Sequence, residues 1–286
     1  MKLTILGSYS ATPRIIAQTT AQVLETRGHH FLIDCGEGTQ IELRRHKLKF
    51  NQIKHIFISH LHGDHYFGLI GLISTFRLLK READLYIYGP KGIKDIITLQ
   101  LKLSKSWTDF KLFFHELEST DSECIFEDDK VSVHTIPLIH RIYTNGFLFV
   151  EKAFDRKLNI EKAKEKNIDK AYFRKLKQGS DVLNRDEIFI KNAEVTTMGV
   201  KPKSYAFCSD TAYSEAIVPI IKSVDALYHE STFLESQESL CIHTKHSTAK
   251  QAATIAKKAE VGTLILGHYS SRYKDCLLYT SDAADD

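Results

Sequence analysis

The sequence predicts a mixed α/β protein: two β-sheets flanked by outer helices in a four-layer αββα sandwich, with a basic arm inserted between the halves. Three observations carry this. Short apolar, β-branched runs alternate with longer stretches whose apolar residues fall at helical spacing. The order strand, loop, helix occurs in two series, one in each half of the chain. Histidine and aspartate recur directly after strand-like runs, where the loops at one edge of a sheet gather.

The first series opens with strand-like runs at residues 3–6, 22–25 and 30–33, the last ending at Asp34 and the Gly36, Gly38 pair. Ile41, Leu43 and Leu48 among Arg44, Arg45 and Lys47 predict a short helix, and residues 53–58 read as a buried strand. A histidine cluster follows at once. Leu69, Leu72, Ile73, Phe76 and Leu79 then hold helical spacing over residues 66–79, so the cluster sits on a loop between strand and helix. A strand at 85–88, a helix at 93–103 and strands at 112–117 and 131–136 complete the first half. The second series has strands at 205–208 before Asp210, 226–228 before His229 and 263–266 before His268, with a helix near 247–259.

With 286 residues, 43% of them hydrophobic, the chain has material for a sizeable core, which excludes a disordered or collagenous protein. No apolar run approaches the roughly 18 residues of a membrane span, and residues 1–8 lack a signal-peptide layout, so a soluble, cytoplasmic protein without a membrane partner is expected. Cys35, Cys124, Cys208, Cys241 and Cys276 show no CxxC spacing and read as free thiols. Residues 276–286, "CLLYTSDAADD", resemble a translated sequencing adapter and are set aside as a non-native tail, the authentic C-terminus being expected to be missing. The remainder, residues 1–275, is expected to be a single domain with an inserted flexible arm at about 152–195. It carries 39 basic and 33 acidic side chains, a net +6. Residues 152–178 alone carry ten basic side chains against four acidic ones, with few core residues, and fit either a solvated surface insertion or a phosphate-backbone contact with Tyr172 and Phe173 as anchors.

The chemistry centres on Ser59-His60-Leu61-His62-Gly63-Asp64-His65, an HxHxDH pattern. Residues two apart turn their imidazoles to one side while Asp64 and His65 reach a neighbouring position, so one loop feeds two metals. Imidazole and carboxylate without a Cys ligand suit Zn²⁺ and argue against iron-sulfur or structural zinc. Two ions that each keep an open position need about seven protein ligands. His140, Asp210 and His268, each after a predicted strand, are the best-placed completions, and Asp210 has two oxygens with which to bridge. Asp225 and His229 fit ligand or structural roles alike, whereas His29, His30, His46, His55, His115 and His134 read as packing or surface residues.

These residues resemble the ribonuclease Z family, tRNA 3′-processing endonucleases of the metallo-β-lactamase fold, over residues 1–275. The matching blocks are "LGSYSATP" at 6–13, "IDCGEGTQ" at 33–40, "SHLHGDHYFGL" at 59–69, "PLIH" at 137–140, "SDT" at 209–211, "HEST" at 229–232, "HSTA" at 246–249 and "GHYSSRY" at 267–273. HxHxDH alone marks only the superfamily; "DCGEGTQ" with "HST" and "HYSSRY" is narrower. The match departs in the arm, where many members carry a Gly-Pro pair and this chain reads Ile168, Asp169, Lys170, Ala171, Tyr172, Phe173.

The resemblance implies two Zn²⁺ per subunit, one held by His60, His62, His140 and Asp210, the other by Asp64, His65, Asp210 and His268. It implies Asp64 as proton acceptor for the attacking water, or as a ligand that orients that water. It gives His246 as proton donor to the leaving group; a nearby carboxylate such as Glu230 would keep that ring protonated, and Arg272 is a candidate phosphate clamp because its planar fork suits phosphate oxygens. The implied reaction removes the 3′ trailer from precursor tRNA, leaving a 3′-hydroxyl on the tRNA and a 5′-phosphate on the trailer. The implied assembly is a homodimer whose arm, carrying Lys162, Lys164, Lys166, Lys170, Arg174, Lys175 and Lys177, grips tRNA for the partner's active site. Two other readings compete: a hydrolase of small phosphodiesters, sulfates or thioesters on the same fold, and a non-enzymatic RNA-binding protein.

Overall fold

Side chains alternate across the strands of the first series, and both faces are apolar. Phe31 and Ile33 face one way while Leu32 faces the other; Phe57 opposes Ile56; Tyr88 opposes Ile87. A computed structural model describes residues 1–14 and 17–273; the segment 276–286 lies outside the described residues. Its first sheet runs in sequence order through β1 (Lys2–Gly7), β2 (Ala21–Thr26), β3 (His29–Ile33), β4 (Ile53–Phe57), β5 (Leu85–Pro90) and β6 (Leu112–Leu117), antiparallel up to β3 and parallel from there. Helices α1 (Thr39–Arg45), α2 (Gly63–Tyr66), α3 (Gly68–Leu78) and α4 (Ile93–Leu103) follow strand ends. Leu43, Leu69, Leu72, Ile73, Phe76, Ile93, Ile97 and Leu101 join the outer-face cluster. Each such buried side chain contributes about 1.5–3 kcal/mol relative to exposure.

The helix predicted over 66–79 is α3, broken at Phe67 from the one-turn α2, to which Tyr66 belongs together with Asp64 and His65 of the predicted loop. Its break has a steric cause: Gly68 starts α3 against the loop after β3, where a Cβ would lie 2.1 Å from the Gly36 carbonyl oxygen, and its N–H donates to the Cys35 carbonyl at 2.9 Å. That contact ties the histidine loop to the loop carrying Asp34.

The second sheet begins with β7 (Cys124–Glu127), β8 (Val131–Pro137) and β9 (Asn145–Glu151). The chain then builds a separate compact unit, Glu151–Lys203. It contains β10 (Lys157–Leu158), α5 (Ile160–Glu165), α6 (Phe173–Lys177), β11 (Val182–Leu183), β12 (Phe189–Ile190), α7 (Asn192–Val195) and β13 (Thr196–Thr197), with β10 paired to β13 and β11 to β12. Read as core-poor in the sequence, this segment has a miniature core of Ala163, Ile168, Leu176, Val182, Ile190 and Val195. Half of that core lies beyond residue 178, which is why the window 152–178 looks so polar.

The chain returns as β14 (Ser204–Cys208), β15 (Ala226–Glu230) and β16 (Leu264–Gly267), giving the sheet order β16-β15-β14-β9-β8-β7. Helices α8 (Glu238–Thr244) and α9 (Ala249–Lys258) precede β16. α9 starts two residues after the predicted position because Thr248 is its cap, its hydroxyl accepting from Gln251 N–H while the Gln251 side chain returns to Thr248 N–H. Between the sheets, Leu24, Phe31, Ile33, Phe57 and Tyr88 of one pack with Val131, Val133, Phe147, Phe149, Tyr205, Phe207 and Tyr228 of the other. Outside the second sheet, Ile255, Ala256 and Ala259 pack on Ala206, Cys208 and Leu227. These are the four layers.

Among the described residues no helix is long and apolar enough to cross a membrane. Cys35, Cys208 and Cys241 are buried free thiols; burial pushes Cys35 up to about 12, where it is unreactive.

Candidate metal centre

Strand ends of both sheets supply the site. Asp34 follows β3, the histidine loop follows β4, His140 follows β8, Asp210 follows β14 and His268 follows β16. Asp34, Asp210 and His268 adopt the left-handed backbone, with φ of 55°, 60° and 58°. Asp and His tolerate this region better than most residues, and held there each turns its side chain back across the sheet edge.

Two groups of ligand atoms result, each within 4.8 Å: His60, His62, His140 and Asp210 in one, Asp64, His65 and His268 in the other, with a further grouping of Asp210, His246 and His268. Asp210 divides its oxygens between the two. Oδ2 lies 3.5 Å from His60 Nε2 and 3.7 Å from His140 Nε2, whereas Oδ1 lies 3.2 Å from His65 Nε2 and 2.9 Å from His268 Nε2. Asp64 Oδ2 stands 3.5 Å from both His65 Nε2 and His268 Nε2. The Ala11 N–H, from a left-handed residue, donates to the same Asp64 oxygen at 2.9 Å.

The orientation of each ring is set from behind. His65 Nδ1 donates to Asp34 Oδ2 at 2.7 Å and His140 Nδ1 to the Lys245 carbonyl at 2.9 Å. Ser59 Oγ has one hydrogen, given to Asp34 Oδ2 at 2.9 Å, so it accepts from His60 Nδ1 at 3.0 Å. Thr232 Oγ1 likewise donates to Glu230 Oε2 at 2.5 Å and accepts from His268 Nδ1 at 2.9 Å. In all four rings Nδ1 is thereby the donor to an oxygen behind it, and Nε2 faces the centre. His62 is the exception and presents Nδ1, 2.9 Å from His60 Nε2 and 3.2 Å from His140 Nε2. Ser59, Thr232, Asp34 and the Lys245 carbonyl were not anticipated as positioning groups; Ser59 and Thr232 lie inside the quoted "SHLHGDH" and "HEST" blocks, but a hydroxyl beside a histidine carries little signal by itself.

Charge is arranged for a cation. Burial holds His60 well below its ordinary pKa, with His65 adding to the effect, and burial likewise lowers His62 and His140, so these rings are neutral donors at neutral pH. For His65 and His268 burial also acts downward, but the carboxylates around them together outweigh it, Asp210 with Asp34 and Asp64 raising His65, and Asp210 with Asp64 taking His268 to about 10. Asp210 is lowered because His268, His65 and His60 overcome its burial. Three carboxylates beside crowded imidazoles thus call for positive charge. His65 Nε2 and His268 Nε2 are moreover buried without a well-formed hydrogen bond. Buried imidazole nitrogens converging with carboxylate oxygens are what a divalent ion satisfies, displacing any proton they hold, so the donor set fits a metal.

His246 flanks the centre without belonging to either main group. Its ring stacks over His268 at 5.4 Å, and Nδ1 donates to Glu230 Oε1 at 2.9 Å. Glu230 is fully buried; burial raises its pKa, but His246 more than offsets this, and Thr211 N–H, Thr232 N–H and Thr232 Oγ1 all donate to it. Arg272 is exposed, its guanidinium 5.4 Å from the ring of Phe233, which in turn meets His246 edge-on at 6.2 Å. The two ambiguous residues have structural contacts: His229 Nδ1 donates to the Glu230 carbonyl, and Asp225 Oδ2 accepts from Ser204 N–H and Oγ. In the arm unit, Lys162, Lys164, Lys170, Arg174, Lys175 and Lys177 are exposed, while Lys166 is half-buried and pairs with Glu194 at 2.6 Å.

A doubled sheet with histidines and aspartates gathered at one edge defines a metallo-β-lactamase-fold protein. The metallo-beta-lactamase fold protein YhfI from Bacillus subtilis superposes with a TM-score of 0.67 over 99% of this chain and 91% of that one, at 17% identity. Human tRNase Z, short form, gives a TM-score of 0.74 and 30% identity over 96% of this chain and 94% of that one. The ribonuclease Z of Parabacteroides distasonis is 44% identical over 96% of this chain and 90% of its own length, and that of Cytophaga hutchinsonii 48% identical over 96% and 88%. Residues 1–155 match the family model described as Anti-Pycsar protein Apyc1, a match that stops short of Asp210, His246 and His268. Through its N-terminal half the chain belongs to that family, and over its whole length it belongs to the ribonuclease Z family.

Proposed function

We propose that this chain is a zinc-dependent endoribonuclease that cuts the 3′ trailer from precursor tRNA. Membership of the ribonuclease Z family makes it a tRNA 3′-processing hydrolase. The observation that carries the finer reading is the split of Asp210: one oxygen toward His60 and His140, the other toward His65 and His268. A carboxylate shared this way supports a pair of Zn²⁺ ions: His60, His62 and His140 would hold one and Asp64, His65 and His268 the other, with Asp210 within reach of both groups. When bound, such a pair supplies Lewis acidity that lowers the pKa of water and offsets charge on the phosphoryl group.

The chain's own residues do the rest. Asp64, fixed by Ala11 N–H, is placed to take the proton of the attacking water. As the water oxygen bonds to phosphorus, the bond from phosphorus to the tRNA 3′ oxygen breaks. His246, tied through Nδ1 to the buried Glu230 carboxylate, serves as donor to that departing oxygen. The tRNA leaves with a 3′-hydroxyl and the trailer keeps a 5′-phosphate. Arg272 is a candidate clamp for a phosphate oxygen, its planar fork suited to that geometry. The exposed cations of the arm unit support a contact with the tRNA backbone, in a cytoplasmic homodimer whose arms reach the partner's substrate.

Excising residues 152–202 with a short turn in their place tests this. Cleavage of 3′-extended precursor tRNA is expected to fall by about two orders of magnitude or more, as several phosphate contacts vanish, while a small chromogenic phosphodiester is still hydrolysed. Equal retention of both activities overturns the arm as the tRNA contact. A metal-loaded parent protein that leaves precursor tRNA uncut sinks the endoribonuclease.

A further inference from the structure

We propose a second, non-catalytic site: the cavity between the α3–β5 turn and the segment leading into β4 binds a nucleoside phosphate. The cavity has a volume of about 410 Å³, within the range of small-ligand sites, and its lining includes Lys49, Phe50, Asn51, Phe76, Lys80 and Arg81. Glu82 is its one acid.

Arg81 is the informative residue. It is 6% exposed, yet among the described residues no carboxylate forms an ion pair with it. Nε donates to the Ala83 carbonyl at 2.6 Å and Nη2 to the Asp84 carbonyl at 2.8 Å, while the guanidinium lies 4.7 Å from the Phe76 ring centre and 5.5 Å from that of Phe110. Nη1 is buried with no hydrogen-bond partner. Asp84 favours the charged form without forming an ion pair, so the buried guanidinium is compensated only in part, and an oxyanion seated in the adjoining cavity supplies what is missing. Lys49 and Lys80 are exposed on the lining and likewise form no ion pair among the described residues, so two further cations face the same space.

The rest of the lining suits the organic part of such a ligand. Phe50 is half-buried and offers a ring for base stacking, and the Asn51 amide has both donor and acceptor for a base edge. Inorganic phosphate alone would leave this wall unused. The position excludes a part in the hydrolysis: residues 49–51 lead into the beginning of β4 and 79–83 into that of β5, whereas the histidine loop leaves the far end of β4, a strand of roughly 16 Å.

The nucleoside phosphate has two sources, a free mononucleotide or one residue of an RNA strand. Asn51 also lines a neighbouring cavity of about 480 Å³ that includes Lys54 and His30, so a strand has somewhere to continue while a mononucleotide ends in the first cavity.

The test is AMP titrated into the full chain, followed by backbone amide shifts. Saturable shifts at residues 49–51 and 79–83 are expected, weakened roughly tenfold by Lys49→Ala or Lys80→Ala, the loss of one charged contact. Both variants should hydrolyse a chromogenic phosphodiester at the parental rate. Because these lysines are exposed, their replacement does not threaten folding as Arg81→Ala does. Inorganic phosphate should bind more weakly than AMP at the same residues. A single-stranded tetra-adenylate separates the sources: Lys54→Ala weakens it and spares AMP if an RNA strand is the natural occupant, and affects neither if a mononucleotide is. The proposal is overturned if millimolar AMP leaves these amides unmoved, if the shifts are indifferent to both lysine variants, or if phosphate matches AMP.

Discussion

At the carboxyl ends of β3 and β4, His60 and His65 tie Nδ1 to Ser59 and Asp34 and turn Nε2 toward Asp210. At the amino ends of the same two strands, His29 stacks on Phe31 at 5.1 Å, and His55 stacks on Tyr86 at 5.1 Å with Phe126 at 4.7 Å. Both ends are rich in imidazole, but only one has an oxygen behind each ring and a carboxylate in front of it. The other surrounds its rings with aromatic faces, and its acidic contacts, His29 Nε2 to Asp128 Oδ2 at 2.8 Å and His30 Nε2 to Glu25 Oε2 at 3.3 Å, join separate chain segments without converging on a centre. Histidine becomes a ligand through what fixes its second nitrogen; without that it is a flat, partly polar packing group.

The sharpest way to break this contrast is Asp210→Asn, which removes the charge in front of four rings. Precursor tRNA cleavage should fall roughly a thousandfold with loss of bound metal, measured by single-turnover assay and elemental analysis. His246→Asn should cost about 10²–10⁴-fold in cleavage while metal content stays parental, and a substrate with a nitrophenolate leaving group, which needs no proton, should be largely spared. Removing only the oxygen behind a ring is the next test. Thr232→Val frees His268 Nδ1 and should weaken metal affinity some 10–100-fold, read by competition with a chelating dye, whereas Thr232→Ser should restore it.

The smallest effect comes from the packing end. Burial, aided by nearby His29 and Lys54, lowers His55 from 6.5 to about 4, so the unfolded chain binds this proton more readily than the folded one. Stability from this group is complete above pH 6.5 and is lost as pH falls toward 4, by about 2–3 kcal/mol in all. His55→Phe should flatten denaturant midpoints between pH 7 and 4.5 and leave cleavage at neutral pH unchanged. A variant that cuts poorly at pH 7 while fully folded would show the two ends to be linked.

Much of the contrast is legible in the residues themselves. HxHxDH after a buried strand marks one loop, and the strands before His140, Asp210 and His268 mark the others, because ligand residues collect at strand ends. The supports behind the rings are not legible: Ser59, Thr232 and the Lys245 carbonyl act through positions that only the assembled fold creates, and the left-handed backbone of Asp34, Asp210 and His268 leaves no compositional trace. Besides the short strands of the arm unit, two strands of the second large sheet escape pattern reading. β7 is a four-residue edge piece, and β9, Asn-Gly-Phe-Leu-Phe-Val-Glu, is apolar on both faces because it lies inside the sheet, which hides the alternation. The arm's core is spread over residues far apart in sequence, so no single window reveals it.

The way the arm unit is spliced in has a consequence for how such proteins diversify. It leaves from the end of β9 and re-enters at the start of β14, two strands that pair directly at Val150 and Ser204, and within the unit Glu151 N–H donates to the Lys203 carbonyl. An insertion whose two ends already touch is a cassette: it can be exchanged, lengthened or reduced to a hairpin with almost no chain-closure penalty to the host sheet. The unit that carries the clustered histidines and aspartates can therefore stay fixed while the inserted one is traded for another.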